Sequence, residues 1–406
     1  MELTPTGRNQ RFGTPFMVGF LILLMMFVIF STDMYAPALP SMTGEFNTSE
    51  TLVNMTVLLF FACMIVGMLV LGPMSDRAGR RPILLFGTAL YVAASLGCVF
   101  AWSIWALIVF RIIQAIACGG LMASNLAVVK DTFVGQSMVT VLMITQAISV
   151  IGPIAAPVFG AWLLEWFSWR ASFVVLAALG AAAFVCSLVF RESLAPENRS
   201  QGSLASSLSG LGKVARNGRF MVFLLVCVGF TALPFNLYLT TSSFIYEDYF
   251  GLSPQAYSYF FGASAGLAVL GLFLYRIVSR RVALRRITTT LILGVGVCGA
   301  GMLAIGHLSP WLFFACMLGF QMIGSMVRPY SANVLLMIHQ GDTGAASSML
   351  NVAMQGLSSL AMLPAILMGG DYLTSLAILI LIGFTISLTL WIGLLRSKAK
   401  IPLIKD

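Results

Sequence analysis

The chain has 406 residues, of which 59% are hydrophobic and 9% are charged, and its formal net charge is +9 at pH 7. Soluble domains carry roughly 25% charged residues, so this composition predicts an integral membrane protein and excludes a soluble catalytic domain. The positive charge is typical of a topology signal and of attraction to anionic headgroups, so it requires no nucleic-acid partner.

Apolar segments recur along the whole chain and are long enough to cross a bilayer core about 30 Å thick. They predict twelve transmembrane spans, centred near residues 26, 62, 92, 115, 150, 180, 232, 265, 296, 323, 355 and 383. The first apolar segment leads into an Asp- and Pro-containing stretch rather than a cleavage site, so we expect a retained helix. The cysteines lie within apolar segments without metal-ligand spacing, which predicts packing residues and no metal site.

The basic residues predict the orientation of these spans. If the N-terminus is cytoplasmic, all Lys and Arg residues fall on the cytoplasmic side except Arg111, Arg170 and Arg328. Arg170 falls in an outer loop, and Arg111 and Arg328 lie within spans. Both termini are therefore expected in the cytoplasm, with the protein in the cell inner membrane.

A long polar stretch, residues 191–217, separates the sixth span from the seventh. It predicts an N-terminal six-helix bundle at 1–190, a cytoplasmic linker at 191–217 and a C-terminal six-helix bundle at 218–406. Each half carries a basic loop after its second span, "SDRAGRRP" at 75–82 and "SRRVALRR" at 279–286. This recurrence suggests duplication of a six-helix unit.

The loop between the second and third spans carries the most specific local signal, within "LGPMSDRAGRRPILL" at 71–85. Gly72 permits close helix approach and Gly79 a tight turn. Four charged residues share the loop: Asp76, Arg77, Arg80 and Arg81. Ion pairs among them can hold neighbouring helices together, whereas a loop that is basic only because it is cytoplasmic is the alternative.

These residues make the loop similar to the G-x-x-x-D-R-x-G-R-R signature of the major facilitator superfamily. The resemblance implies an all-α polytopic membrane protein with twelve transmembrane helices in two six-helix pseudo-repeats. It also implies a cytoplasmic conformational latch, formed by Asp76, Arg77 and Asp131 of "VVKDTF". The second copy of the loop lacks the acid and the glycines, so a latch there is expected to be weaker.

The fourth span contains an arginine in "RIIQAIACGG", residues 111–120. An unpaired guanidinium inside a span costs at least about 2.5–3.5 kcal/mol, so Arg111 must face a cavity, a carboxylate or backbone carbonyls. The segment resembles the family's R-x-x-Q-G segment, with Ala115 in place of glycine, and the resemblance implies a role in proton coupling. A structural arginine that snorkels to the interface is the alternative.

The fifth span contains "SVIGPIAAPVFGAW", residues 149–162. Its Gly152, Pro153, Pro157 and Gly160 predict a bent helix that packs closely against a neighbour. The segment resembles the antiporter motif of drug-exporting members, with Ala161 in place of a second glycine. An ordinary proline-kinked helix remains the alternative.

The first span ends in "STDMYAPALPSM", residues 31–42. The acid of this stretch, Asp33, lies about 25 Å along a helix that begins at Phe16. A buried carboxyl that can gain and lose a proton suits a proton-coupled carrier. The stretch is similar to the "DMYLPALP" signature of the bicyclomycin/chloramphenicol-resistance (Bcr/CflA-type) branch of drug:proton antiporters, with Ala36 in place of leucine. An interfacial capping role for Asp33 is the alternative.

Polar and aromatic residues in the spans that the family places around a central cavity are candidate substrate contacts. They are Tyr35, Asn125, Gln146, Asn236, Tyr238, Arg328, Asn333, Met354 and Gln355. If Arg328 faces the cavity, it favours an anionic or carbonyl-rich substrate. Alternatively, it bonds the carbonyls freed by Pro329 or snorkels inward.

The sequence and the resemblance together predict proton-coupled antiport of drugs or small metabolites out of the cell by alternating access. Proton-coupled uptake or export of a specific anionic metabolite is the first alternative, and a non-transporting receptor or scaffold is the second. No enzymatic motif is present, since the sequence contains no nucleotide-binding loop, nucleophile elbow or zinc motif. The expected partners are a small-molecule substrate, protons and lipid; a monomer driven by the proton gradient needs no cofactor.

Overall fold

The computed structural model describes residues 13–199, 218–224, 230–279, 282, 284–338 and 371–396. Regular structure in these ranges is helical throughout. The chain divides into two compact units, Met1–Ser207 and Leu208–Asp406, and the division falls within the polar stretch between the sixth and seventh predicted spans.

The described part of the first unit contains seven α-helices. They are α1 (Gly13–Asp33), α2 (Leu39–Glu45), α3 (Glu50–Ala78), α4 (Arg80–Val99), α5 (Ile104–Thr132), α6 (Gly135–Trp166) and α7 (Arg170–Val189). A 3₁₀ turn at Ala36–Ala38 joins α1 to α2, and another at Pro196–Asn198 follows α7. The charge pattern predicts that α2 and the α4–α5 connection lie outside, and we call this the expected outer end of the unit.

The second unit also contains seven described α-helices. They are α8 (Gly218–Leu224), α9 (Phe230–Phe244), α10 (Pro254–Ala268), α11 (Leu270–Val278), α12 (Leu284–Ile305), α13 (Pro310–Ile338) and α14 (Tyr372–Arg396). A π-helical turn at Ile245–Tyr249 extends α9, and a 3₁₀ turn at Gly306–Leu308 precedes α13. Within this unit α12 packs against α13 and α14.

Nine helical segments in the described ranges are long and apolar enough to cross a membrane. They correspond to the predicted spans 1, 2, 3, 4, 6, 8, 9, 10 and 12. The fifth prediction falls on α6, and the seventh falls on α8 and α9. The eleventh lies outside the described residues. The predicted class, an all-α polytopic membrane protein, is therefore confirmed.

The first unit is held together by close contacts between helix backbones. A side chain at Gly67 of α3 would clash with the carbonyl of Ile116, and one at Gly119 of α5 would clash with the carbonyl of Met64. Such small-residue contacts are typical of helix packing in membranes, where dispersion forces replace the hydrophobic effect. They make α3 and α5 a tightly packed pair, and α5 carries Arg111.

The tryptophans divide into an exposed and a buried group. Five have exposed fractions between 45% and 79%: Trp102, Trp105, Trp162, Trp166 and Trp311. They lie near helix ends, as expected for aromatic residues at a membrane surface. Trp169 and Trp391 are each only 2% exposed. Trp391 donates a hydrogen bond to Thr289 (3.0 Å), and Trp169 packs edge-on against Phe173.

Candidate coupling site and latch

Helix α1 ends at Asp33 because the sequence cannot continue it. Pro37 has no N–H to donate to the carbonyl of Asp33, and Pro40 occupies the first turn of α2, where proline is tolerated. Met34 and Tyr35 therefore form a non-helical break between α1 and the 3₁₀ turn. Asp33 at this break is 8% exposed and accepts a hydrogen bond from Thr32 Oγ1 at 2.9 Å.

Arg111 of α5 reaches the same break through a backbone carbonyl. Its Nη1 donates to the carbonyl of Ser31 at 2.7 Å and to Gln114 Oε1 at 2.8 Å. The side chain is fully buried, and its Nε has no hydrogen-bond partner. No ion pair joins Arg111 to Asp33, both of which are described residues. Of the three environments expected for Arg111, the structure therefore shows backbone carbonyls.

Aromatic rings enclose the Arg111 guanidinium. Its central carbon lies 4.2 Å from the ring centroid of Phe60, 4.6 Å from that of Tyr35 and 5.8 Å from that of Phe173. Cation–π contacts gain strength when water is excluded, as at this buried position. Tyr35 is held by a 2.7 Å hydrogen bond between its hydroxyl and Thr56. Arg111 and these three rings are called the arginine cage below.

A hydrogen-bonded chain fixes the arginine cage to α4. Gln114 Nε2 donates to Ser95 Oγ at 2.7 Å, and Ser95 donates to the carbonyl of Tyr91 at 2.7 Å. The hydroxyl of Tyr91 lies 2.6 Å from that of Ser31 in α1. Helices α1, α4 and α5 are thus joined by buried polar contacts, which are costly to break inside a membrane protein.

Helix α6 packs directly against the break in α1. A side chain at Gly160 would clash with the carbonyl of Met34, and one at Gly152 would lie 2.6 Å from Ile29 Cγ2. Pro153 and Pro157 lie between these glycines within α6. Gly160 therefore borders the residue after Asp33, and Gly152 borders Ile29 earlier in α1.

The charged loop residues gather at the other end of the unit. Arg80 Nε donates to Asp131 at 2.8 Å, its Nη1 pairs with Asp76, and it also contacts Ser75 at 3.3 Å. Arg77 is exposed on the last turn of α3, so Arg80 rather than Arg77 lies between the two acids. Gly72 contacts Ala123 of α5, 3.3 Å from where its Cβ would be.

Glu192 joins this network although the sequence reasoning placed it in the linker. Its carboxylate accepts the backbone N–H groups of Arg80 (2.8 Å), Arg81 (3.2 Å) and Leu194 (3.1 Å). A carboxylate suits the first turn of α4, where N–H groups lack helical partners. Gly79 has a φ of +106°, and a side chain there would clash with Glu192. In the sequence, the one available indication of this role was the position of Glu192 directly after the sixth span.

The remaining candidate substrate contacts lie in different parts of the chain. Asn125 donates to the carbonyl of Leu21 at 3.1 Å and so ties α5 to α1. Asn236 is buried, and Tyr238 stacks on Phe261 at 5.6 Å within the second unit. Gln146, Arg328 and Asn333 lie on α6 and α13, but their side chains are outside the description. Met354 and Gln355 lie outside the described residues.

A polytopic helical chain that buries an acid and an arginine within its spans has the fold and site of a membrane transporter. The chain belongs to the Major Facilitator Superfamily, whose sequence profile matches residues 21–362. The superfamily predicted from the loop motif is therefore confirmed, and the protein is a transporter rather than an enzyme.

Individual relatives agree with this assignment. The chain is 30% identical over 269 residues to an uncharacterized MFS-type transporter of Bacillus subtilis, a match that covers 66% of this chain and 65% of that protein. It is 28% identical over 300 residues to a multidrug transporter of Edwardsiella ictaluri, with 72% of each covered. A bacterial homologue of the human lysosomal transporter Spinster shares the fold, with a TM-score of 0.75 and 15% identity over 95% of this chain and 98% of that one.

Proposed function

We propose that the protein exports drugs or small metabolites by proton-coupled antiport. The observation that carries the proposal is the buried carboxyl of Asp33 at the break in α1, next to the arginine cage but not paired with it. Similarity to a multidrug transporter supports drugs as the substrate class. The "DMYAPALP" stretch favours the bicyclomycin/chloramphenicol-resistance branch.

In this proposal Asp33 binds a proton from the outside and releases it to the cytoplasm. Burial penalises the ionised carboxyl, whereas the hydrogen bond that Thr32 donates to it favours the ionised form. Arg111 is fixed through Ser31, two residues from Asp33, so a movement of the α1 break changes the environment of both groups. Proton release would thereby be linked to a conformational change of the transporter.

In the same proposal, the charged network around Arg80 acts as a conformational latch at the cytoplasmic side. Arg80, held between Asp76 and Asp131, ties α3, α4 and α5 together in the described state. We propose that these contacts change as the N-terminal bundle (1–190) and the C-terminal bundle (218–406) rock about the substrate. A monomer in the inner membrane, with both termini cytoplasmic and no cofactor beyond the proton gradient, completes the proposal.

Proton-coupled transport of an anionic metabolite remains the alternative, and it depends on Arg328. The side chain of that residue is outside the description, so the alternative must be tested by substrate charge. The probes are neutral chloramphenicol, cationic tetraphenylphosphonium and anionic benzoate. Gradient-driven movement of benzoate alone would favour the alternative.

The deciding experiment measures flux from proteoliposomes under an imposed pH gradient. We expect gradient-dependent movement of chloramphenicol or tetraphenylphosphonium by the wild type and its loss in Asp33→Asn, because the amide cannot carry the proton. Asp248→Asn is the matched control, since Asp248 is an exposed acid in the π-helical turn that extends α9. Equal gradient-driven flux in the wild type and Asp33→Asn would contradict a coupling role for Asp33.

A further inference from the structure

A polar cluster closes the expected outer end of the first unit. Glu45, the last residue of α2, accepts a hydrogen bond from the indole N–H of Trp169 (2.5 Å) and pairs with Arg170 at the start of α7. Arg170 also donates to the carbonyl of Ala101 at 3.3 Å and lies over the Trp169 ring at 4.3 Å. We call Glu45, Trp169 and Arg170 the outer clamp.

A continuous set of rings leads from the outer clamp to the arginine cage. Trp169 meets Phe173 edge-on with centroids 5.9 Å apart, and Phe173 lies 5.5 Å from Tyr35. Tyr35 in turn faces the Arg111 guanidinium at 4.6 Å. These four side chains are each at most 2% exposed, so a displacement of one must displace its neighbour.

The exposed fractions of Glu45 and Arg170 indicate whether the outer clamp stabilises the fold or orients other side chains. Glu45 and Arg170 have side chains that are 42% and 35% exposed, and ion pairs this exposed contribute only about 0–1 kcal/mol to stability. The bond from Glu45 to Trp169, by contrast, fixes the rotation of a buried indole that starts the set of rings. The geometry therefore indicates that the outer clamp orients the Trp169 ring and contributes little to the free energy of unfolding.

We propose that the outer clamp is a positioning device for the coupling site, in which Glu45 sets the place of Tyr35 against Arg111 through Trp169 and Phe173. This inference rests on the proposed proton coupling at Asp33. With the clamp formed, the rings keep the guanidinium of Arg111 on the carbonyl of Ser31. With the clamp broken, the rings relax and Arg111 gains freedom to approach Asp33, which would favour the ionised carboxyl.

The pH dependence of transport should report this relaxation. In the described part, the titratable groups that share the environment of Arg111 and the α1 break are Tyr35, Tyr91, Cys98 and Cys118. Helices α6 and α7 face the break with Gly160 and Phe173, which do not titrate. An approach of Arg111 to Asp33 is thus expected to move the pH profile towards acid.

The experiment compares gradient-driven chloramphenicol and tetraphenylphosphonium flux across pH for the wild type, Glu45→Gln and Trp169→Phe. The first variant removes the charge, and the second removes the indole N–H while keeping a ring for packing. We expect both profiles to shift about 0.5–1 pH unit towards acid, part of the effect of a full ion pair. Glu50→Gln, at the start of α3 and outside the clamp, is the matched control and should not shift.

The outcomes separate this inference from the proposed function. If the wild type moves neither probe in response to the gradient, the proposed drug antiport fails. If the wild type is active and both clamp variants keep its pH profile, the positioning role is refuted while drug antiport stands. A lower thermal midpoint with reduced flux and an unchanged pH profile would also refute it, since that result indicates a structural role only.

Discussion

At the scale of single residues, Arg111 keeps a charge inside a span without a carboxylate. Insertion of such a charge costs about 2.5–3.5 kcal/mol on translocon scales. Hydrogen bonds to charged groups contribute about 1.5–3 kcal/mol each, so those to Ser31 and Gln114 can offset that cost, with ring contacts in addition. The carboxylate of Asp33 is therefore not needed to stabilise Arg111 and is left available for a proton.

Replacement of Arg111 by lysine tests this arrangement. Lysine keeps the charge but loses the planar fork that bonds Ser31 and Gln114 while stacking on Tyr35 and Phe60. We expect gradient-driven flux to fall about tenfold or more, from the loss of one charged hydrogen bond. Flux assays and the yield of folded protein in membranes check it. Arg276→Lys, at an exposed position of α11, is the control, and equal flux in both variants would argue against a special role for the fork.

Glu192 shows a second residue-scale effect, at the start of α4. Glu192→Ala removes the acceptor for the N–H groups of Arg80 and Arg81, and loss of such a cap costs about 0.5–2 kcal/mol. We expect hydrogen exchange of these amides to accelerate up to about tenfold or somewhat more. Glu197→Ala, an exposed acid in the same segment, should leave them protected. Unchanged exchange in Glu192→Ala would mean that the carboxylate does not cap the helix.

At the scale of helices, α6 acts on α1 through a contact that admits no side chain. Gly160→Ala would force α6 away from the carbonyl of Met34 and shift the residue that follows Asp33. Overpacking of this kind costs about 1–3 kcal/mol, so we expect a lower thermal midpoint and weaker gradient-driven flux. Gly19→Ala is the control because open space surrounds Gly19 in α1. The same midpoint and flux in both variants would contradict close packing at Gly160.

The helices also show how far the sequence predicts the site. The sequence predicts that the first span ends close to Asp33, and the glycines and prolines of α6 predict close packing. The partners of that packing, Ile29 and Met34, could not be predicted, because helix spacing does not specify which neighbour a glycine meets. Likewise, the loop composition predicts a charged network, but the choice of Arg80 over Arg77 depends on which side chain points inward from the turn at Gly79.

At the scale of the whole molecule, hydropathy suffices to predict the class and the nine spans found in the described residues, because a membrane requires apolar helices of fixed length. Long-range partners are the part that sequence does not supply. Glu192 contacts Arg80 across 112 positions, and Glu45 contacts Trp169 across 124. Neither acid belongs to a periodic pattern, so only the folded chain shows that each binds a distant helix terminus.

The distribution of tryptophans has a spectroscopic consequence. Quenchers in the acyl chains or in water can reach the five exposed indoles, whereas Trp169 and Trp391 are buried. Emission that resists both quenchers should therefore come mainly from these two residues. Trp391 contributes a constant background, held by Thr289. Trp169 donates to a carboxylate, so its emission wavelength should follow the bond to Glu45, and the native protein carries an intrinsic optical reporter of its own outer end.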